Sequence, residues 1–286
     1  MPIRSSNAAR AASIAALSAL VLPAFSHSAL ANRNLVRTAK SWSIQLQGDA
    51  KSTAGRNSDV AVVDPDEVRN PHKLKSKASG GRRAVLAYIS IGEAEDGRAY
   101  MKKGGKAWLT NEGQGWAGNH KVKFWQDEWK GIVKSRVKAA LDAGYDGVYL
   151  DRVDTYENVK APGGSRKEMV KFVREIAQSA RSKKSDAAVV VQNAEELLDD
   201  KGYVDAIDAV GKEDLYHGIH HNGERNNEGA IKASVNLLKK AKAQGKGVYV
   251  VEYLNGDTAK RVKQQARRDG FVASSGERSL KQATED

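Results

Sequence analysis

The chain has 286 residues, of which 40% are hydrophobic and 29% charged, and this balance suits one globular domain with a sizeable core. It contains no cysteine, which excludes disulfides, thiolate metal sites and thiol nucleophiles. The formal net charge of +12 would permit contact with nucleic acid or anionic surfaces. Because the cations are spread along predicted helices, we favour solvated helix faces and expect no nucleic-acid partner.

Residues 1–31 have the features of a secretory signal peptide. Arg4 and Arg10 precede an apolar run from Ala11 to Phe25 that holds no acidic residue, and the tripeptide Ala29-Leu30-Ala31 places small residues where a signal peptidase reads them. A membrane anchor is the competing interpretation, but a run of about 15 residues is short for a span. We expect cleavage after Ala31 and a secreted or periplasmic protein without a membrane anchor.

Residues 32–286 alternate between β-type and helical segments, which we interpret as one domain. The predicted strands are Trp42–Gln47, Asp59–Val63, Ala84–Ile91, Gly147–Asp151, Ala187–Gln192, Ala206–Val210, Gly247–Glu252 and Gly270–Ala273. The clear helices are Asp127–Ala143, Lys167–Ser182, Glu228–Ala243 and Asp257–Arg268. Eight βα units in about 255 residues predict an α/β fold, a (β/α)8 TIM barrel with irregular first units. An open doubly wound sheet is the alternative, disfavoured because no glycine-rich phosphate fingerprint follows the first strand.

The fourth predicted strand ends abruptly in a carboxylate. Alternation sends Val148 and Leu150 to one face and Tyr149 and Asp151 to the other. If the apolar face packs on helices, Asp151 points into the mouth of the barrel, where such folds hold their active sites. A helix cap or a salt-bridge partner is the structural alternative for Asp151.

Acids and amides follow five successive predicted strands, from the third to the seventh. They are Glu93, Glu95, Asp96, Asp151, Asp154, Gln192, Asn193, Glu195, Glu196, Glu213, Asp214 and Glu252. One such ending is ordinary helix capping. Five at the same rim predict an acidic, hydrogen-bonding cleft of the kind that binds polyhydroxylated substrates.

Glycoside hydrolysis requires two carboxyl groups on either side of the scissile bond. The strands that precede Asp151 and Glu213 are two apart, so their backbones lie roughly 10 Å from each other. Side chains that lean inward would bring the carboxyls to about 5–9 Å, the range of retaining and inverting enzymes. We therefore predict these two as the catalytic pair.

The remaining polar and aromatic residues of the rim are substrate-binding candidates. We select Tyr88, Glu93, Trp116, Asp154, Gln192, Asn193, Glu252 and Tyr253. For Asp154 a capping role, and for Glu252 a structural ion pair, are equally good interpretations. Aromatic residues in such a chain more often belong to the core.

Three histidines, His217, His220 and His221, form the one cluster with metal-ligand character. They fall in a predicted loop rich in Gly and Asn, whereas metal ligands usually stand on rigid elements at fixed spacing. We favour a polar cleft loop and expect no metal and no cofactor. A metal-dependent carbohydrate deacetylase is the corresponding, weaker functional alternative.

Seven strings along the chain resemble glycoside hydrolase family 114. They are WSIQLQGD (42–49), YISIGEAED (88–96), WAGNHKVKFWQDEW (116–129), GYDGVYLDRVDTYE (144–157), VVVQNAEELL (189–198), GKEDLY (211–216) and VVEYL (250–254). The resemblance runs from about residue 40 to 280. This family is similar to the hydrolase domain that trims the Pel polysaccharide.

The resemblance implies an endo-α-1,4-polygalactosaminidase on a (β/α)8 barrel, with a galactosamine-containing polysaccharide as its partner. By motif position it implies Asp151 as nucleophile and Glu213 as general acid/base. Lys212 departs from the family pattern, and alternation predicts that it points toward the helices and away from Glu213. A non-catalytic polysaccharide-binding protein on the same barrel is the alternative function. The sequence carries no indication of oligomeric state.

Overall fold

The computed structural model describes Met1 and residues 30–102, 104–110 and 118–286. Its strands are β1 (Trp42–Gln45), β2 (Val60–Val63), β3 (Ala84–Ser90), β4 (Glu93–Glu95), β5 (Asn119–Lys121), β6 (Gly147–Asp151), β7 (Ala188–Gln192), β8 (Ala209–Glu213), β9 (Gly247–Glu252) and β10 (Val272–Ser275). Its helices are α1 (Ala31–Thr38), α2 (Lys51–Ala54), α3 (Asp127–Asp142), α4 (Ser165–Lys183), α5 (Lys201–Ala206), α6 (Glu228–Ala243) and α7 (Gly256–Asp269). None of these helices is long and apolar enough to cross a membrane.

Eight of the strands form one parallel sheet in the order β1-β2-β3-β6-β7-β8-β9-β10. A doubly wound sheet reverses its strand order near the middle, whereas here each strand pairs with the next of the eight along the chain. The sheet curves into a nearly closed barrel with helices between the strands, which confirms the predicted (β/α)8 fold. The pair β4–β5 is a separate antiparallel hairpin after β3, and the prediction lacks it.

The last residues of the chain lie along the seam between β1 and β10. The backbone N–H of Thr284 donates to the carbonyl oxygen of Ile44 at 3.1 Å, while Ser275 and Glu285 exchange backbone hydrogen bonds of 2.8 and 2.7 Å. The hydroxyl of Thr284 also accepts from the backbone N–H of Ile44 at 3.1 Å. This segment, residues 276–286, is called the seam tail below. It follows β10 at the place of the eighth barrel helix.

The barrel interior is filled by aliphatic side chains and by a stack of three aromatic rings. The Trp42 ring stacks on Tyr149 and Tyr249 with centroid distances of 6.1 and 5.3 Å. At the amino-terminal end of the strands, Val36 of α1 is fully buried, and the Tyr249 hydroxyl donates to its carbonyl oxygen. Since the interior is packed, we expect the substrate site at the carboxyl-terminal rim of the strands and not inside the barrel.

Gly147 begins β6 where the backbone of β7 comes very close. A Cβ at this position would lie 2.2 Å from the carbonyl oxygen of Ala188 and 2.7 Å from its nitrogen. We expect Gly147→Ala to lower the free energy of unfolding by about 1–3 kcal/mol, because β7 must shift to admit the methyl group. Gly131 on α3 has no atom within 4 Å of its Cβ position, so Gly131→Ala should raise that free energy by up to about 1 kcal/mol. Urea unfolding followed by circular dichroism measures both, and equal effects would contradict the close approach.

Candidate active site

Asp151 ends β6 and points to the barrel mouth. Tyr149 belongs to the interior core, while Val148 and Leu150 pack in the outer layer, as alternation predicts. The Asp151 side chain is held by two donors: the Tyr88 hydroxyl at 2.6 Å and the backbone N–H of Arg152 at 2.7 Å. Only 8% of the residue is exposed, so its carboxyl group is fixed and largely shielded from water.

Burial raises the pKa of Asp151 to about 7, and the negative charge of Glu213 adds to this effect. The hydrogen bond from Tyr88 opposes it, because that bond stabilises the ionised form. Asp151 and Glu213 therefore interact electrostatically across the rim. The charge of Glu213 thus makes Asp151 hold its proton more readily than burial alone would.

Glu213 ends β8 and is held by side chains from both neighbouring strands. The Tyr253 hydroxyl, just after β9, donates to its Oε1 at 2.6 Å, and Gln192 of β7 donates from Nε2 to its Oε2 at 3.2 Å. Its backbone N–H donates to Oδ1 of Asn193 at 3.1 Å. The sixth strand was predicted at Ala206–Val210, but β8 runs from Ala209 to Glu213. It starts later because Ala206 belongs to α5, and it ends later, so that Glu213 is its last residue and not part of the following loop.

The two carboxyl groups stand on strands separated by β7 alone. Strands two apart have backbones roughly 10 Å from each other, and both side chains lean toward the same opening. Gln192 lies between them on β7. Such a separation admits one glycosidic bond between an attacking carboxylate and a proton donor.

Two more predicted residues lie on the Asp151 side of the rim. Glu93 is fully buried; its carboxylate contacts the Arg152 guanidinium and accepts from Asn119 Nδ2 at 3.2 Å. Arg152 adopts a left-handed conformation (φ +60°), which turns the chain sharply after β6. Asp154 follows in a 3₁₀ turn, and burial raises its pKa. Its Oδ1 is buried without a hydrogen-bond partner among the described residues.

Glu252 is placed differently from the other candidates. It is 1% exposed, and its carboxylate accepts from the backbone N–H groups of Tyr216 at 2.9 Å and His217 at 3.2 Å. Burial raises its pKa to about 8. Glu252 thus holds the segment after β8 in place.

Trp116, the remaining aromatic candidate, lies outside the described residues.

Lys212 points away from Glu213. Its Nζ lies 3.1 Å from Oε1 of Glu195, a nearly buried carboxylate that also accepts from the Ser234 hydroxyl of α6. The helix-facing orientation predicted for Lys212 is confirmed. Its charge is balanced by Glu195 outside the barrel mouth.

Asp214, one of the acids predicted at the rim, lies beside Glu213 together with Arg278, which the sequence analysis did not predict. Asp214 follows Glu213, and the guanidinium of Arg278, which comes from the seam tail, donates to its Oδ1 at 2.9 Å. The same guanidinium lies 4.1 Å from the centroid of the Tyr253 ring. The carboxylates after β8 gave a signal for Asp214, but Arg278 stands in a polar tail whose pattern contains no such signal.

The three histidines do not converge. His217 is buried, with Nδ1 lacking a hydrogen-bond partner among the described residues, while His220 and His221 are exposed. In the part of the chain that the structure describes, no three His, Asp or Glu side chains form a metal-binding group.

Beyond Tyr88 the rim opens into a cavity of about 630 Å³. Its walls include Gln47, Asp64, Glu95 and Arg98. Arg98 donates to both carboxylate oxygens of Asp64, at 2.9 and 2.6 Å. Tyr88 therefore stands between the carboxylate pair and a second, polar space large enough for a sugar.

The model of glycoside hydrolase family GH114 matches residues 25–284. An uncharacterised protein of Deinococcus radiodurans is 35% identical over 251 residues, 84% of this chain and 80% of that protein. An uncharacterised protein of Methanocaldococcus jannaschii is 35% identical over 236 residues, 76% of this chain and 67% of its own length.

Two solved structures share the fold. The glycoside hydrolase domain of PelA from Pseudomonas aeruginosa superposes with a TM-score of 0.72 at 18% identity, covering 85% of this chain and 96% of that domain. Ega3 of Aspergillus fumigatus, in complex with galactosamine, superposes with a TM-score of 0.67 at 19% identity, covering 86% and 95%. At these identities the likeness bears on the barrel fold alone.

Proposed function

Because the chain belongs to glycoside hydrolase family GH114 and is therefore a glycoside hydrolase, we propose that it cleaves α-1,4-linked galactosamine or N-acetylgalactosamine polysaccharides internally. The observation that carries the proposal is the placement of Asp151 and Glu213 on strands two apart at one rim, each held by hydrogen-bond donors. Such a fixed carboxylate pair is what glycosidic bond cleavage requires.

In the proposed reaction Asp151 is the nucleophile and Glu213 the general acid/base. The ionised Asp151 attacks the anomeric carbon, while Glu213 gives its proton to the glycosidic oxygen as that bond breaks. Glu213 then takes a proton from water, whose oxygen displaces Asp151 from the sugar. Both carboxyls return to their starting states, and the anomeric configuration is retained.

The acidic rim suits a sugar that carries an amino group. Asp154 and Asp214 add carboxylates beside the pair, and a protonated amine is attracted to such a rim at short range. The net charge of residues 32–286 is +10, since residues 1–31 hold two basic and no acidic residues. This net charge repels a positively charged polymer at a distance, but salt screens that repulsion more than it screens the contacts within the cleft. Ega3 in complex with galactosamine supports the sugar class.

Product analysis tests this function. Residues 32–286 are incubated with α-1,4-galactosamine polymer, its N-acetylated form, and a β-1,4-N-acetylglucosamine polymer as control. We expect a fall in galactosamine polymer length before monomers accumulate, and α-anomeric products in early proton NMR spectra. The absence of new reducing ends from both galactosamine polymers would contradict the function. Monomer release without polymer shortening would contradict the internal cleavage.

The pH profile should report Asp151. We expect kcat/KM to fall about tenfold per pH unit below pH 7, because protonated Asp151 cannot attack. Tyr88→Phe removes a hydrogen bond that lowers the pKa of Asp151, so the acidic limb should move to higher pH. Tyr145→Phe removes a hydroxyl that donates to the Val68 carbonyl away from the rim, and it should leave the limb in place. If the acidic limb of Tyr88→Phe stayed in place, as that of Tyr145→Phe should, the result would contradict the role of Asp151.

Export is part of the proposal. Residues 2–29 of the proposed signal peptide lie outside the described residues, and α1 begins at Ala31. Arg33 and Arg37 of α1 pair with the buried Asp208 at 3.0 and 2.7 Å, and cleavage after Ala31 would preserve these pairs. Amino-terminal sequencing of the protein after export should begin at residue 32. An uncleaved amino terminus would contradict the signal peptide.

A further inference from the structure

We propose that Arg278 is a positioning residue for Glu213, so that the seam tail completes the active site as well as closing the barrel. The inference rests on the proposed catalytic role of Glu213. Arg278 does not touch the Asp151 side of the rim in any described contact. It acts on Glu213 through Tyr253, through Asp214 and through its own charge, 4.0 Å from the Glu213 carboxylate.

The first link is the Tyr253 ring. Arg278 holds its guanidinium 4.1 Å from the ring centroid, a cation–π contact that fixes the ring plane. The hydroxyl of that ring donates to Oε1 of Glu213 at 2.6 Å, and NH1 of Arg278 lies 4.0 Å from the same oxygen. The orientation of the Glu213 carboxyl therefore depends on where Arg278 holds Tyr253.

The second link is charge. Glu213 and Asp214 are adjacent acids; burial raises the pKa of Asp214 to about 6, and the negative charge of Glu213 adds to the effect. Arg278 donates to Asp214 at 2.9 Å and thereby offsets the repulsion between the two carboxylates. Lys212, the adjacent cation in sequence, is bound to Glu195 on the outer side. Within the described ranges, Arg278 is the one cation within 4.0 Å of the Glu213 carboxylate.

The third link is the tail itself. Leu280 is buried among the interior side chains, and its carbonyl oxygen accepts from the backbone N–H groups of Leu46 and Gln47 at 3.0 and 3.3 Å. Arg278 stands two residues before this anchor, and its Nε donates to Asn222 Oδ1 at 2.9 Å in the segment after β8. The guanidinium is thus held between two anchored segments, and 23% of the side chain is exposed.

Kinetics of Arg278→Ala test the proposal. We expect kcat to fall about 10- to 100-fold, with KM changed less than threefold, because a displaced proton donor slows the chemical step. Guanidinium chloride at millimolar concentration should restore part of kcat by refilling the place of the lost group. Lys281→Ala is the matched control: it removes an exposed cation from the same tail and should leave kcat unchanged. Wild-type kcat in Arg278→Ala, or a loss that guanidinium does not restore, would overturn the proposal.

A second measurement needs no substrate. In protein labelled with ¹³C-glutamate, the carboxyl resonance of Glu213 should shift in Arg278→Ala and stay in place in Lys281→Ala. An unmoved resonance in both variants would overturn the positioning role even if no polymer is cleaved. A wild-type protein that cleaves no galactosamine polymer, with the resonance shifted, would overturn the proposed function and leave the positioning role supported.

Discussion

Asp151→Asn should abolish polysaccharide cleavage and at the same time stabilise the fold above pH 7. The amide cannot attack the anomeric carbon, so we expect kcat to fall at least about a thousandfold. The substitution keeps the shape of the side chain. Rotation of the Tyr88 hydroxyl lets it accept from the new amide, so the packing around residue 151 is retained. Initial rates on the galactosamine polymer measure the loss.

The stability gain follows from the raised pKa of Asp151. The folded chain binds this proton more tightly than the unfolded chain, whose aspartate has a pKa near 3.8, so ionisation of Asp151 destabilises the fold. The cost is absent below pH 4, grows as pH rises to about 7, and is constant above that. From the difference in pKa it reaches at most about 4 kcal/mol, which Asp151→Asn removes.

Urea unfolding at pH 5 and pH 8 checks this trade-off. The gain in the free energy of unfolding at pH 8 should exceed the gain at pH 5 by a factor of about two or more. Asp205→Asn, at an exposed position on α5, serves as the control and should keep both activity and stability. An inactive Asp151→Asn without a pH-dependent gain would contradict the buried, charged nucleophile.

Glu213→Gln should lower kcat on the polymer by about 10²- to 10⁴-fold, the usual contribution of general acid catalysis. The defect should depend on the leaving group. An aryl α-galactosaminide whose phenolate leaves without protonation should still react quickly with Asp151 in this variant, so a burst of phenolate is expected. The same substrate should remain unreactive in Asp151→Asn, because that variant has lost the attacking group.

The two variants together assign the two roles. Glu196→Gln, an exposed acid after β7, is the control for Glu213→Gln and should keep polymer cleavage. If Glu213→Gln were inactive on both substrates and Asp151→Asn reacted with the activated one, the roles of nucleophile and acid would be exchanged. If both variants lost the same factor in kcat on both substrates, the result would contradict separate roles for nucleophile and general acid.

Much of the barrel could be predicted from the sequence because its buried elements carry strong patterns. Strand β6 and helix α6 were predicted with their observed bounds, since one is a continuous apolar run and the other shows full helical periodicity. Helices α1 and α5, with eight and six residues, are too short to show a period. Lys212 and Glu213 are polar residues of the kind typical of a loop, yet both belong to strand β8. The strand can hold them because Lys212 pairs with Glu195 and Glu213 faces the cleft.

Residues of the site could be predicted from the sequence only where a functional side chain stands at the end of an apolar strand. Asp151 stands at the end of an apolar strand, so its position follows from the local pattern. The partners of Glu213 are different: Tyr253 contacts it across 40 positions of sequence, and Arg278 contacts Asp214 across 64. Such contacts depend on how the barrel closes, which no local pattern encodes. Glu252 looks the same in sequence as the rim acids, but in the structure its carboxylate is buried and accepts hydrogen bonds from the backbone amides of Tyr216 and His217.

The hydrogen bond between Ile44 and Thr284 spans 240 positions of sequence. Loop closure over such a distance loses much chain entropy and comes after local contacts have formed, so closure of the seam should be among the last events in folding. A chain that has folded only as far as α7 would already carry Asp151 and Glu213 but would lack Arg278. Refolding followed by activity should therefore lag behind refolding followed by circular dichroism, and the lag measures the time in which the last strand and the seam tail find the first strand.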